Sequence, residues 1–291
     1  TTFDSVDPED LWKWMEGYEG KTGGKVLAIP HNGNLSNGTM FALTNMKGEP
    51  LTRAYAESRT RWEPLYEITQ IKGDGEAHPA LSPADEFADY ETWDRGNLNL
   101  IPKKPEMIQY EYAREAFKNG LLMEAKLGTN PFKFGLASGT DTHTGLTTAE
   151  EDNFFGKHPG VEPGPTRWEH VTLEFQGRKV MGWEMAASGY TAVWATENTR
   201  EAIWDAMKRR ETYATTGPRM MVRLFGGWDF KDDDAPPREP GWVGYEKGVP
   251  MGADLPAGPQ GKSPTFLVAA LRDPSGANLD RIQIIKGWLD A

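Results

Sequence analysis

The feature that most limits what this chain can fold into is a repeated pairing of a short apolar run with a polar, glycine-bearing loop. Lys25-Val26-Leu27-Ala28-Ile29-Pro30 leads into His31-Asn32-Gly33-Asn34, and Pro64–Ile71 leads into Lys72-Gly73-Asp74-Gly75-Glu76-Ala77-His78. Phe132–Ser138 leads into Gly139-Thr140-Asp141-Thr142-His143-Thr144-Gly145, and Ala192–Ala195 opens a fourth round. Runs of this length, bounded by Gly and Pro, predict buried strands. Between them lie helical stretches. Asp7-Pro8-Glu9-Asp10 supplies a cap, a proline at the first helical position and acid in the first turn. Leu11, Trp14 and Met15 follow at helical spacing, and the clearest long helix lies between Pro105 and Gly128, with Met107, Tyr110, Ala113, Ala116 and Phe117 on one stripe. A further helix is expected from about 198 to 210. Strands alternating with helices define an α/β chain with a parallel sheet or barrel, whose strand-end loops converge on one face.

After Met220 the texture changes. Gly, Pro and Trp become dense from Phe225 to Gly261, while Ser263–Arg272 and Arg281–Lys286 read as strands. The expected division is residues 1–219 as the α/β part and 220–291 as a β-rich appendage. Thr1-Thr2-Phe3-Asp4 offers neither an initiator methionine nor a signal sequence, and the last strand stops short, so the expectation is an internal segment of something longer.

Composition removes several function classes. The net charge is −11, from 32 basic and 43 acidic residues, which argues against a broad phosphate-backbone surface for nucleic acid. A small anionic substrate remains compatible, because a metal cluster reverses the local field. No apolar run approaches the roughly 20 residues that span a bilayer, so a soluble protein is expected, its compartment (periplasmic or cytoplasmic) left open. Cysteine is absent, which excludes disulfides, thiolate metal sites and cysteine nucleophiles. No Gly-x-Ser-x-Gly elbow or phosphate-cradling Walker loop occurs.

Any metal must therefore sit on imidazole and carboxylate, and the chain has five histidines. His31, Glu67 and the pair Asp141/His143 come from three converging segments, and this mixed set suits Zn²⁺, Mn²⁺ or Fe²⁺. Glu67 lies inside an apolar run, where an unpaired carboxylate costs several kcal/mol, so it must meet a cation, a metal or a buried arginine. His78 reads equally as a catalytic residue or as a turn residue before Pro79. Arg219, after a Gly-Pro turn, is a candidate for gripping a substrate anion or for a structural salt bridge. His158 and His170 flank a Pro/Gly-rich stretch and read as surface residues.

Ile29–Ser36, Glu67–Gly73, Asn130–Gly135, Gly139–Gly145, Glu197–Ala202 and Arg209–Arg219 together resemble a bacterial family allied to the PHP (polymerase and histidinol phosphatase) superfamily, over nearly the whole chain. The resemblance implies a distorted (β/α)7-type barrel, of which this chain is a part, with a di- or trinuclear metal site. It implies hydrolysis of phosphoesters or phosphonate monoesters. It also makes His31 and His143 terminal ligands, Glu67 a bridging carboxylate and Asp141 a ligand shared with an early His-x-His pair. That pair is not in this sequence and is expected on a further segment. The rival expectations are an amidohydrolase-like C–N hydrolase and a non-catalytic binding domain with a degenerate site.

Overall fold

The computed structural model describes residues 3–143, 157, 165–175, 177–185, 189–235 and 240–290. Helix α1, Pro8–Thr22, starts where Asp7 accepts the Glu9 amide and ends on Gly23 in the left-handed conformation. Its buried face is Trp12 and Met15; of Leu11, Trp14 and Met15 read from spacing, Met15 is buried while Leu11 and Trp14 are exposed. The indole nitrogen of Trp12 donates to Glu63 at 2.9 Å, which turns that ring inward onto helix α2, Arg53–Trp62. Trp12, Met15 and Trp62 form a small core with Val26 and Ala28 at its margin.

Strand β1, Leu65–Gln70, is the centre of the first sheet. On one side it pairs antiparallel with the two-residue strand β2, Gly73–Asp74, and on the other it runs parallel to strand β3, Gly135–Ser138. Its register with β3 shifts between Glu67 and Thr69, an irregularity of the kind that re-aims a side chain beside a functional site. Tyr66 and Ile68 face the main core, where Phe41 meets Tyr66, Phe132 and Phe134 at centroid separations of 4.9, 5.5 and 5.5 Å. Helix α3, Ala113–Leu127, closes that core with Ala113, Ala116 and Met123. The stripe expected from Met107 onward divides, because a 3-10 segment, Pro105–Tyr110, precedes α3.

The segment from Lys25 to Pro30 is not a strand. Near its end it is held by two backbone bonds, Ala28 N–H to Trp62 O at the end of α2 and Glu67 N–H to Pro30 O on β1. Pro30 has no N–H to continue the ladder. A second difference concerns the fourth round. Strand β6, Tyr190–Val193, and strand β7, Thr212–Thr215, flank helix α4, Arg200–Lys208, and pair antiparallel rather than parallel. They attach to β3 through side chains: Thr191 exchanges two hydrogen bonds with the Ser138 backbone, and the Thr212 hydroxyl donates to Leu136 O at 2.9 Å. Between β3 and β6 comes an antiparallel pair, β4 (Val171–Phe175) and β5 (Arg178–Met181). The architecture is mixed α/β with small sheets, and no closed barrel forms among the described residues.

Beyond residue 220, strand β8 (Met221–Gly227) pairs antiparallel with β9 (Gly248–Pro250) and β10 (Thr265–Leu271), with helix α5, Gly241–Lys247, against them. The strand expected at Arg281–Lys286 does not form; that stretch is exposed and without regular structure. The sheet is tied to the rest through buried Glu211. Glu211 accepts from Arg209 at 2.8 Å and from the Tyr245 hydroxyl, while the Arg223 guanidinium covers the Trp194 ring.

Truncating the ring at the centre of the main core should be costly. Phe41→Ala is expected to lower unfolding free energy by roughly 3–5 kcal/mol, read by denaturant titration, whereas Leu11→Ala on the outer face of α1 should change it by less than about 0.5 kcal/mol.

Candidate functional site

Three segments bring the sequence-selected residues together. His31 follows Pro30 and precedes Asn32, whose left-handed backbone (φ 63°) turns the chain sharply. Gly33 is required there, since a Cβ would lie 2.0 Å from the Tyr66 hydroxyl and 2.9 Å from Glu111 O. The turn is locked to the end of β1 by side-chain amides. Gln70 donates to Asn32 at 3.1 Å and accepts the Lys72 N–H at 2.7 Å, while Asn34 donates to Lys72 O at 2.9 Å. Asp141 lies three residues past β3, also with positive φ (52°), a conformation aspartate tolerates better than most residues.

His31, Glu67, Asp141 and His143 form one connected group. Glu67 contacts His31 at Nδ1. On the other side of that ring, His31 Nε2 is 3.7 Å from Asp141 Oδ1, and His143 Nε2 is 3.4 Å from the same oxygen. The His31 ring thus stands between the two carboxylates, so Glu67 meets an imidazole instead of sharing a centre with Asp141. The second oxygen of Asp141 carries two ammonium groups: Lys72 in direct contact, and Lys157 at 2.5 Å. Lys157 also reaches Asp141 O and lies 3.3 Å from His143 Nε2, while its own carbonyl accepts the His143 N–H.

The electrostatics follow from this crowding. Burial pulls the Lys72 pKa down to about 7 and that of Lys157 to about 8. The neighbouring Lys157 ammonium adds to the lowering at Lys72, and the Glu67 carboxylate opposes it at both lysines. The Lys157 ammonium, followed by partial burial, lowers the pKa of His143, which keeps its ring neutral and able to accept.

Two imidazoles and two carboxylates are a suitable donor set for a borderline dication. Bonds of about 2.0–2.3 Å to a tetrahedral ion place neighbouring donor atoms roughly 3.3–3.7 Å apart. The spacings from Asp141 Oδ1 to His31 and to His143 have that length, so kind and spacing fit. Among the described residues, however, no three His, Cys, Asp or Glu side chains stand in a complete ligating arrangement.

The other candidates lie apart from this group. His78 is buried, with Nε2 3.1 Å from Asp94 and Nδ1 accepting the Ala80 N–H, so its proton sits on Nε2 and the ring braces a turn. Arg219 stacks over Tyr190 and donates its backbone N–H to Asp273 at 2.6 Å. His170 lies beside a 3-10 turn before β4, and His158 lies outside the described residues, as do Thr144 and Gly145. Sequence reasoning passes over Lys72 and Lys157. Lys72 is legible by the argument used for Glu67, a charge following directly on an apolar run; Lys157 has no local signal.

Strand β2, paired with the end of β1, carries a further buried carboxyl. Asp74 accepts the N–H groups of Glu76 and Ala77 at 2.9 and 3.2 Å, and burial, reinforced by the Glu76 carboxylate, raises its pKa to about 7.

A family model described as "Protein of unknown function (DUF3604)" matches residues 1–291, and the chain belongs to that family. No curated protein and no solved structure matches it. No helix among the described residues is long and apolar enough to cross a membrane.

Asp74 generates a pH prediction. A carboxyl whose pKa rises on folding holds its proton more tightly in the native state. Its contribution to stability is therefore complete below about pH 4 and is lost as pH climbs to about 7, a change of a few kcal/mol at most. Asp74→Asn should flatten the Tm-against-pH curve between those values, and an unchanged slope would contradict the assignment.

Proposed function

We propose that this protein is a metal-dependent hydrolase that cleaves phosphoesters or phosphonate monoesters, built on part of a PHP-like (β/α)7-type barrel. The observation that carries this reading is the approach of His31 Nε2 and His143 Nε2 to one oxygen of Asp141, at 3.7 and 3.4 Å. On this reading His31, Asp141 and His143 hold a divalent ion of the Mn, Zn or Fe class. Glu67 fixes the His31 tautomer through Nδ1, as a carboxylate commonly does behind a metal-bound histidine, and is the carboxylate available to a second or third ion. A bound ion of this class brings the pKa of a coordinated water towards about 7 and polarises phosphoryl oxygens.

The chain's own residues then have separate tasks. His31 and His143 are accessible to solvent, with side chains 40% and 57% exposed, so the donor atoms face the side from which a substrate arrives. The locked turn at Asn32–Asn34 keeps His31 in place. Further ligands, a His-x-His pair, come on this reading from a segment outside this sequence.

A second reading has its own support. Asp141 is already paired with two lysines, and the incomplete ligand arrangement is what a non-catalytic, salt-bridged binding domain would also have. Activity separates the two. The intact protein should hydrolyse bis-p-nitrophenyl phosphate, lose activity to a chelator and regain it with Mn²⁺ or Zn²⁺. His31→Ala and His143→Ala should each lower kcat by about 100-fold or more, a loss of roughly 2.7 kcal/mol of transition-state stabilisation, with circular dichroism unchanged. A kcat insensitive to both substitutions and to the chelator sinks the hydrolase reading.

A further inference from the structure

We infer that Lys72 and Lys157 form the oxyanion grip of this site, the pair of ammonium groups that receives the anionic oxygens of a phosphate or phosphonate substrate. The inference rests on the hydrolase reading above and extends it to residues that reading does not use. It begins with a surplus. Both side chains are almost wholly buried, 5% and 6% exposed, and both converge on Asp141 Oδ2. Burying an ammonium costs several kcal/mol unless it is paired, and one carboxylate oxygen offsets one such group far better than two. Among the described residues Glu67 is a further carboxylate that acts on both lysines, and its side chain contacts His31. Among the described residues, two buried amines therefore compete for this one carboxylate oxygen.

Position points the same way. Asp141 divides its oxygens, Oδ1 towards the two imidazoles and Oδ2 towards the two ammoniums. Lys157 Nζ is 3.3 Å from His143 Nε2, so an oxygen bound beside His143 lies within reach of that ammonium. An ammonium has three donors; Lys157 directs its own at Asp141 Oδ2, Asp141 O and, at 3.3 Å, His143 Nε2, and it is the last and longest of these that a substrate oxygen replaces. Lys72 is held for such a task. Its N–H is taken by Gln70 and its carbonyl by Asn34, which fixes the backbone from which the side chain projects. The Asn32–Gln70 bond ties this support to the His31 turn, so the imidazole and ammonium sides move as one.

The chemistry selects the substrate class. Two amines held against one carboxylate favour a tetrahedral oxyanion with at least one full negative charge, whose approach itself favours their charged forms. A neutral phosphotriester or a neutral amide offers no counter-charge and leaves the ammoniums less well paired. The grip thus weighs against a C–N hydrolase acting at this centre.

The test uses the intact protein, with inorganic phosphate as the probe in calorimetric titration and as inhibitor of bis-p-nitrophenyl phosphate turnover, alongside separate titration of Mn²⁺. Lys72→Met and Lys157→Met each leave one ammonium on Asp141. Each should weaken phosphate binding by about tenfold or more and raise KM, without weakening Mn²⁺ binding, because removing a neighbouring cation does not disfavour a dication. Should Lys72→Met fail to fold, Lys157→Met alone decides between the outcomes. Phosphate affinity unchanged in the folded variants overturns the grip, and so does a parallel loss of phosphate and Mn²⁺ affinity, which would make the lysines a scaffold for the ligands. Wild-type protein that binds phosphate in this lysine-dependent way but hydrolyses nothing refutes the hydrolase reading and leaves the grip standing.

Discussion

The structure of the site depends on how one carboxylate, Asp141, shares its two oxygens. One faces imidazole nitrogens and the other faces ammonium groups, so a single side chain links four others, His31, Lys72, His143 and Lys157, from four stretches of the chain. Without Asp141 the two buried lysines would lose the carboxylate that both touch, a change worth several kcal/mol of destabilisation. Without the lysines it would be a carboxylate fixed only by weak contacts to two histidines. The arrangement is mutually stabilising, and it places acid, base and cation within one small volume at the ends of β1 and β3.

Strand β1 makes that convergence possible. It is parallel to β3, so the chain leaves both strands at the same end, delivering Lys72 from one and Asp141 and His143 from the other. The register shift after Glu67 and the side-chain locks from Asn32, Asn34 and Gln70 then replace regular pairing where the segment before His31 fails to form a strand. Precision at the site comes from these buried amides, since small sheets and loops alone would leave the side chains free to drift.

Much of this is legible in the sequence, for definite reasons. Glu67 and Asp141/His143 stand out because charged or metal-binding groups lie inside or just past apolar runs, and burial demands a partner for them. Helix α1 is marked by its Asp7 cap and Pro8, yet of the face its spacing suggests only Met15 is buried. Trp12 turns in to meet Glu63, a contact 51 residues away that no local pattern encodes. The antiparallel return of β6 and β7 is equally invisible: apolar runs specify strands but not their direction, and Thr191 and Thr212 make the attachment to β3 through side chains. Lys157, just before His158, carries no local signal, and only the fold brings its ammonium to Asp141.

The central claim is that the oxygen of Asp141 facing His31 and His143 belongs to a metal centre. The most direct measurement is anomalous diffraction at the Mn or Zn edge from crystals of the intact protein grown with that metal. The account predicts a peak within about 2.0–2.3 Å of His31 Nε2, Asp141 Oδ1 and His143 Nε2, with Lys72 and Lys157 still on Oδ2. A metal-loaded crystal with no peak there would contradict it, and the cluster would then be a salt bridge and nothing more.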